Sequence, residues 1–230
     1  MDGMSDERIS ASRVIPAPAD RVLAVLRDPD GHVAIDSSGN LFVVDGSDIR
    51  KITPDGIVTT TTLGLGGVVS PETKITIDAA GNLYLASAGN GTVRKIAPNG
   101  AVNTLVDSAG MSGSADGNGT TALFSSSQGI SSDASGYLYV ADAYNNTIRK
   151  ISPDGTVATL AGKTAEIGYI DAKGAAARFN TSFPSTGVIG DAAGNVYLAD
   201  ALNNTIRKIS PAGTVTTLAG ASGPPGFHDG

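Results

Sequence analysis

The sequence predicts an all-β fold made of repeated four-stranded antiparallel sheets. Residues 145–162 read NNTIRKISPDGTVATLAG, and residues 203–220 differ from them at only two positions. A shared pattern occurs four times along the chain, and turn residues separate short runs rich in valine, isoleucine, threonine and tyrosine. These observations together indicate a structural unit that is built from short strands and repeated.

The four copies of the unit begin with similar segments, which are HVAIDSSGNLFVVD (32–45), KITIDAAGNLYLAS (74–87), ISSDASGYLYVAD (130–142) and VIGDAAGNVYLAD (188–200). Each copy continues with a turn rich in Asn, Asp or Gly, a segment containing Arg-Lys, a Pro-x-Gly turn and a run rich in Thr and Val. One aspartate recurs at spacings of 42, 55 and 58 residues, so the unit is constant and its connectors vary; these aspartates are Asp36, Asp78, Asp133 and Asp191.

The first two strands of each unit are joined by the turn D-x-x-G-N, whose glycine supplies the positive φ of a tight hairpin. Both sides of the second strand are apolar, with Leu83 and Leu85 on one face and Tyr84 and Ala86 on the other. A sheet with one face in water alternates apolar and polar residues. We therefore expect these sheets to be covered on both faces.

The third strand carries Ile-Arg-Lys or Val-Arg-Lys, and a proline in the following turn presets φ for a β-turn. The fourth strand is rich in Thr and Val and less apolar, as expected of an outer strand. Repeated four-stranded sheets that are covered on both faces describe the blades of a β-propeller. A β-sandwich is the alternative, although it does not need near-identical four-stranded units. The predicted blades cover residues 32–64, 74–106, 129–162 and 187–220.

The connectors repeat as well, since GSADGNGTTALFSS (113–126) matches GYIDAKGAAARFNT (168–181). We expect Phe124 and Phe179 to be buried anchors where the chain crosses between blades. A calcium loop at Asp116 is disfavoured, because such a loop ends in a bidentate carboxylate and this one ends in Ala, Leu and Phe. GFHDG (226–230) matches the start of the same connector, which predicts a crossing towards a fifth unit.

The repeats resemble NHL repeats of the bacterial type with long connectors. The shared motif is D-x-x-G-N-x-Y-V/L-A-D, followed by N-N-x-I-R-K-I-x-P-x-G-x-V-x-T-L-A-G, and it is clearest over residues 129–220. The resemblance implies a six-bladed propeller, of which this sequence supplies four blades. The arc is then incomplete, closes with four blades, or associates with another chain, and self-association is expected if it is incomplete.

Residues 1–31 form a separate N-terminal arm. They predict an alternating strand from Ile9 to Ile15 and a short amphipathic helix that begins near Pro18 and ends before Pro29. This segment resembles the opening strand and helix of polyketide-cyclase/START-type helix-grip proteins. It suggests a fused gene remnant, and the alternative is an arm that packs on the propeller.

The composition of the chain argues against several classes of function. The net charge of −6 and the pI of about 4.8 argue against nucleic-acid binding, which needs a basic surface. There is no cysteine for a disulfide, thiolate metal site or cysteine nucleophile. No segment has the apolar length of a membrane span, and the acidic N-terminus has no signal-peptide core. The cellular location stays open, cytoplasmic by default, although families of this type are often exported.

Residues that recur once per blade are the candidate functional groups. The anchoring aspartates Asp36, Asp78, Asp133 and Asp191 are expected to accept backbone N–H bonds within their turns. A recurring arginine is expected to pack its stem between blades and to pair with carboxylates, whereas the alternative is a basic ring for anionic ligands. These arginines are Arg50, Arg94, Arg149 and Arg207.

A second group of repeated polar residues follows the second strand, at one rim of the propeller. Turn capping is one interpretation, and ligand binding at a rim of Asp and Asn is the other. The rim residues are Asp142, Asn145, Asn146, Asp200, Asn203 and Asn204.

No catalytic residue, metal ligand or cofactor is predicted. His32 and His228 lie outside the repeated blade positions, and no nucleophile–base arrangement can be placed. We therefore expect a non-enzymatic scaffold that binds a protein, peptide or saccharide through rim loops. The alternative is a metal-dependent lactonase or lyase on a propeller fold.

Overall fold

The described residues form four antiparallel sheets, and in each of them four strands that follow one another in sequence are hydrogen-bonded neighbours. The computed structural model describes residues 33–45, 48–62, 73–106, 110–181 and 186–223. The four sheets confirm the predicted all-β, blade-based propeller fold. The strand and helix predicted within residues 1–31 lie outside the described residues.

The sheets are called blades 1 to 4 in chain order. Blade 1 consists of β1 (Val33–Ile35), β2 (Leu41–Asp45), β3 (Asp48–Ile52) and β4 (Val58–Thr62). Blade 2 consists of β5 (Lys74–Ile77), β6 (Leu83–Ser87), β7 (Thr92–Ile96) and β8 (Val102–Val106). Blade 3 consists of β9 (Gly117–Asn118), β10 (Ser127–Ser132), β11 (Leu138–Asp142), β12 (Thr147–Ile151) and β13 (Thr156–Gly162). Blade 4 consists of β14 (Val188–Gly190), β15 (Val196–Asp200), β16 (Thr205–Ile209) and β17 (Val215–Gly220). Short 3-10 helices span Ala143–Asn145, Gly174–Ala176 and Ala201–Asn203.

Each of the two inner blades, blades 2 and 3, buries both of its faces against the neighbouring blades. Leu83 and Leu85 of β6 pack with residues of blade 1, whereas Tyr84 and Ala86 pack with residues of blade 3. The side chains of β6 and β11 are buried along the whole strand. The two apolar faces seen in the sequence are therefore the two interfaces of an inner blade.

The inner strands lie side by side in the order β1, β5, β10, β14. Hydrogen bonds join them, since Ser132 Oγ donates to the Ile77 carbonyl at 2.9 Å and the Gly190 N–H donates to Ser131 Oγ at 2.9 Å. The inner strand of blade 3 is thus tied by hydrogen bonds to the inner strands of blades 2 and 4.

The long connectors lie along the outer edges of blades 3 and 4. In blade 3, β9 pairs with β13 as a fifth strand. In blade 4, Lys173 bridges Thr214, and the Gly174 N–H donates to the Gly213 carbonyl at 2.9 Å. These contacts occupy backbone groups that an outer strand would otherwise leave unpaired.

Candidate functional site

The candidate site is the rim formed by the turns between the second and third strands. In blade 3 this turn is the 3-10 helix Ala143–Asn145, which follows Asp142 and ends at Asn146 with φ of 54°. The turn of blade 4 has the same form and ends at Asn204 with φ of 55°. Asparagine tolerates this left-handed conformation better than most residues. The repeated Asn-Asn pair therefore fits the backbone geometry of the turn.

Asp142 is fully buried beneath the blade 3 turn. Its Oδ1 accepts a hydrogen bond from the Ser125 N–H at 2.7 Å, and its Oδ2 accepts from Asn145 Nδ2 at 2.8 Å and Arg149 Nη1 at 3.0 Å. Burial raises the pKa of Asp142 to about 6, against the hydrogen bonds from Asn145 and Ser125 and the charge of Arg149, which act to lower it.

Arg149 joins the blade to the connector that precedes it. Its Nη2 donates to Asp116 Oδ1 and to the Ala115 carbonyl, both at 2.8 Å, and its Nη1 also donates to the Leu123 carbonyl at 2.8 Å. The guanidinium lies 5.0 Å from the ring centre of Phe124, a cation–π contact. The charge of this buried arginine is thus held by two carboxylates, two carbonyls and an aromatic face.

Blade 4 repeats the cluster with its own residues. Arg207 Nη1 donates to Asp200 Oδ2 at 2.7 Å, and Nη2 donates to Asp171 Oδ1 at 2.6 Å. Asn203 Nδ2 donates to Asp200 Oδ2 at 2.8 Å, as its counterpart does in blade 3. The ring of Phe179 lies 5.2 Å from the Arg207 guanidinium. The two predicted connector anchors, Phe124 and Phe179, are both buried beneath these arginines.

The six predicted rim residues all make contacts within the chain. Asn145 Nδ2 donates to the Gly113 carbonyl at 2.7 Å, Asn203 Nδ2 donates to the Gly168 carbonyl at 2.8 Å, and Asn146 Oδ1 accepts from the Thr181 N–H at 2.9 Å. The sixth residue, Asn204, is exposed and donates to the Gly223 carbonyl at 3.2 Å. Their ligand-binding role stays a prediction, and five of them are buried: Asp142, Asn145, Asn146, Asp200 and Asn203.

Blades 1 and 2 depart from this cluster. In blade 1, Arg50 forms an ion pair with Asp45 at the surface, where the side chains are 37% and 48% exposed. In blade 2, Ser87 stands in place of the aspartate, and the buried Nε and Nη1 of Arg94 have no hydrogen-bond partner among the described residues. The recurring arginine therefore forms a buried ion pair in blades 3 and 4 but not in blades 1 and 2.

The anchoring aspartates lie at the opposite ends of the strands, in the hairpins between the first and second strands. Asp78 Oδ1 accepts from the N–H groups of Ala80 and Asn82, and Oδ2 accepts from Asn82 Nδ2 and from the Tyr84 hydroxyl at 2.9 Å. Burial alone would raise the pKa of Asp78, but these hydrogen bonds outweigh it and lower the pKa. Burial and the same hydrogen bond raise the pKa of Tyr84. Backbone N–H groups are held in the same way by the other anchoring aspartates, Asp36, Asp133 and Asp191.

The rim turns expose two apolar side chains that the sequence analysis did not select. Tyr144 is 62% exposed in the turn of blade 3, and Leu202 is 46% exposed at the same position of blade 4. The sequence does contain a signal for them. The two turns share the pattern D-A-x-N-N, and Tyr144 and Leu202 occupy its one variable position. Met111 and Ile167 are also exposed, and they lie next to the connector segments that the rim asparagines bind.

The described residues contain no group of three or more His, Cys, Asp or Glu side chains placed to hold a metal ion. His32 and His228 lie outside the described residues. Across the described part of the chain, no helix is long and apolar enough to cross a membrane.

The fold is shared with known protein structures, although no protein-family model matches the chain and no curated protein matches it in sequence. A Bacteroides thetaiotaomicron protein of unknown function matches 80% of this chain and 45% of its own length, with 25% identity and a TM-score of 0.65. An auxiliary nutrient binding protein from the same organism matches 83% of this chain and 47% of its own length, with 17% identity and a TM-score of 0.57.

A catalytically inactive virginiamycin B lyase from Staphylococcus aureus, solved with quinupristin, is similar as well. It matches 82% of this chain and 55% of its own length, with 16% identity and a TM-score of 0.55. The chain thus spans about half the length of these three structures. They show a propeller-like fold and leave the function open, because one fold serves many functions.

Proposed function

We propose that this chain is a non-enzymatic, NHL-type propeller segment that binds a protein or peptide partner at the rim formed by the turns of blades 3 and 4. The observation that carries the proposal is the contrast within each turn. Five of the six repeated polar residues are buried, whereas the variable position between them presents an exposed apolar side chain.

The internal contacts support a scaffold rather than an enzyme. Asp142 and Asp200 each accept hydrogen bonds from an asparagine, an arginine and a backbone N–H. A general acid, base or nucleophile needs lone pairs or protons that can reach a substrate. In these clusters the carboxylates are fully buried and engaged by the blade itself.

The exposed side chains favour a protein or peptide over a saccharide. Besides Tyr144 and Leu202 in the turns, Met111 and Ile167 are exposed close in sequence to the connector carbonyls that the rim asparagines bind. Three of these four side chains are aliphatic or thioether groups. Protein interfaces are enriched in tyrosine and methionine, and their energetic centres are well-packed apolar anchors. The rigid turns hold these anchors in place, which lowers the entropy lost on binding.

Selection of binding peptides provides the test. Peptides that bind the wild-type protein are first selected from a random displayed library. Their affinity is then measured for the wild type, for the double variant Tyr144→Ala/Leu202→Ala and for Ile57→Ala. Ile57 is 57% exposed in a Pro-x-Gly turn at the opposite rim and serves as the matched control. We expect the double variant to lose at least tenfold in affinity and the control to bind as the wild type does.

Peptides that bind both variants equally would contradict a rim site, and a saccharide that binds at the same rim in place of peptides would contradict the choice of partner. Robust turnover in hydrolase and lyase assays, removed by a point substitution, would favour the alternative of an enzyme.

A second copy of the chain is also proposed as a partner, because the two end blades have exposed apolar faces. On blade 4 the outward side chains Ile189 and Leu218 are 63% and 59% exposed. On blade 1, Val33 is 38% exposed, whereas its counterpart Ile75 in blade 2 is 7% exposed and packs between blades. The two faces are those that join blades inside the chain, so copies are expected to associate head to tail.

A further inference from the structure

The free face of blade 1, which is the face turned away from blade 2, is buried over its middle strands. Val44 packs with residues of blade 2, so the adjacent Val43 lies on the opposite face, and the cross-strand register places Ile52 on that face as well. Val43 and Ile52 are each 1% exposed. Their counterparts in blade 2, Leu85 and Ile96, are covered by blade 1 and are each 3% exposed. The free face of blade 1 is therefore buried there as deeply as an interface between blades.

The cover on this face is not one of the described blades. The described residues include no blade before blade 1, and none of the three apolar clusters that they form contains Val43 or Ile52. The free face of blade 4 shows how exposed an uncovered end face is, since Ile206 is 40% exposed there. A sheet buries an apolar face only against another layer of structure. Blade 1 therefore has a covering layer that blade 4 does not have.

The covered area is about two strands wide. Val33 and Ile35 of β1 lie on the same face as Val43, yet they are 38% and 61% exposed. The buried side chains belong to β2 and β3. A helix with its side chains is about 10 Å across and neighbouring strands are about 4.8 Å apart, so one helix covers about two strands. The area therefore fits a single helix and is too narrow for a further blade.

Chain order indicates which segment provides the cover. In blades 3 and 4 the connector that precedes the blade packs on this same face, with Phe124 and Phe179 in the apolar clusters. These phenylalanines lie 9 and 12 residues before the anchoring aspartates of their blades. The same interval before Asp36 falls on residues 24–27. The chain directly before blade 1 therefore has the length to reach the covered area.

We propose that residues 18–28, the helix predicted in the N-terminal arm, dock on the free face of blade 1 and cap this end of the arc. The apolar residues of the segment have the spacing of one helix face, and they are Val22, Leu23, Val25 and Leu26. They bury Val43 and Ile52 in the place that a connector and a preceding blade take elsewhere in the protein. This segment is called the cap below.

The cap competes with a second copy of the chain for the same face, and this consequence depends on the head-to-tail association proposed above. A copy that packs its blade 4 on blade 1 has to displace the cap first. If the face is free in about one molecule in ten, the apparent affinity for the second copy falls about tenfold. The cap therefore limits assembly without any change in the blades themselves.

Photo-crosslinking of the intact chain tests where the cap lies. The photoreactive residue p-benzoylphenylalanine replaces Ile35, whose exposed side chain borders the covered area. We expect crosslinks within one chain to residues 18–28, identified by mass spectrometry of the monomer. The matched control carries the same probe at Ile189, which is 63% exposed on the first strand of blade 4, and it should give no crosslink to these residues.

The other possible covers are distinguished by the same experiment. Crosslinks from the Ile35 probe to residues 63–72 or 224–230 would assign the cover to another segment and overturn the proposal. Crosslinks only to a second copy would identify the cover as a partner chain, and a probe that crosslinks to nothing would leave no role for the arm. Either result would overturn the proposal as well.

Substitution of the cap tests its effect on assembly. Val25→Ser/Leu26→Ser weakens the apolar stripe and leaves every described residue unchanged. We expect faster hydrogen exchange in β2 and β3, and self-association about tenfold tighter in sedimentation velocity. Ile9→Ser/Val14→Ser changes two apolar residues of the same arm outside the cap and should alter neither measurement.

The two measurements separate the cap from the head-to-tail interface. Unchanged exchange in the cap variant would overturn the cap whether or not the chain associates. Faster exchange without any association would support the cap and contradict the head-to-tail interface instead.

Discussion

Ile148 and Ile206 occupy the same position of two near-identical strands, yet Ile148 is 1% exposed and Ile206 is 40% exposed. Ile148 packs in the cluster between blades 3 and 4. Ile206 lies on the outward face of blade 4, where the described residues include no further blade. The difference in exposure between the two isoleucines shows how much of this side chain a further blade packed on blade 4 would bury.

This pair predicts the effect of charge on self-association. Ile206→Asp should shift the protein from an associated to a monomeric form, because an ionised carboxylate cannot be buried in an apolar interface without a partner. Sedimentation velocity measures the change. Ile57→Asp places the same charge on an exposed turn residue of blade 1, outside the proposed interface, and should leave the association state unaltered. A wild type that is monomeric at all concentrations would contradict the head-to-tail interface.

The buried ion pairs predict a large difference between blades. Arg149→Met should lower the free energy of unfolding by about 3 to 5 kcal/mol, because it leaves the buried carboxylate of Asp142 without its cation. Arg50→Met should cost less than about 1 kcal/mol, because the pair with Asp45 is exposed and screened by solvent. Urea unfolding of both variants provides the comparison. Similar losses for the two would mean that the buried cluster contributes no more than a surface pair.

The hairpin aspartates predict a loss of stability in acid. The hydrogen bond from Asn195 is the main cause that lowers the pKa of Asp191 below 3.8 in the folded protein. A carboxyl with a lowered folded pKa contributes stability above its unfolded pKa, and this contribution is lost as the pH falls through the folded value.

We therefore expect wild-type stability to decrease as the pH falls below about 4, and Asp191→Asn to reduce the slope of that decrease, since the amide does not titrate. Denaturant unfolding at a series of pH values measures both slopes. Identical slopes for wild type and variant would show that this carboxyl does not link folding to protons.

Two glycines in equivalent Pro-x-Gly turns predict unequal costs. Gly100 has φ of +84° and open space where a Cβ would lie, so Gly100→Ala should cost about 1 kcal/mol for the positive φ alone. Gly213 has φ of +81°, but a Cβ there would lie 2.6 Å from the Leu160 carbonyl oxygen. Gly213→Ala should therefore be clearly more destabilising in chemical denaturation. Equal costs would mean that the backbone of blade 3 shifts to accept the methyl group.

The sequence predicted the blades well because their signals are local. The hairpin glycines, the prolines of the turn between the third and fourth strands, and the second strand with its two apolar faces each depend on a few neighbouring residues. The partners of the buried arginines were harder to predict, because Asp116 lies 33 residues before Arg149. Its alignment with Asp171 was visible in the connectors, yet nothing local assigns a connector carboxylate to a strand arginine.

The rim was predicted from repetition, and repetition selects the residues that build the turn. Asn145 and Asn203 recur because each ties the turn to a connector carbonyl. Surface side chains such as Tyr144 carry no such constraint, so they differ between copies and are missed by a search for shared residues. The different environment of Arg94 was not predicted, because Ser87 can be read from the sequence but its effect on the arginine depends on packing.

The ion pairs between connector aspartates and strand arginines, Asp116 with Arg149 and Asp171 with Arg207, also affect how the chain folds. The ties from connector carboxylates to strand arginines span 33 and 36 residues, a small fraction of the 230-residue chain. Each blade and its connector can therefore close before distant segments have met, which is unusual for a β-rich protein, where non-local pairing slows folding. Hydrogen exchange should then resolve the protein into successive units with boundaries between blades, and protection should fall towards the ends of the arc, where a unit has a neighbour on one side only.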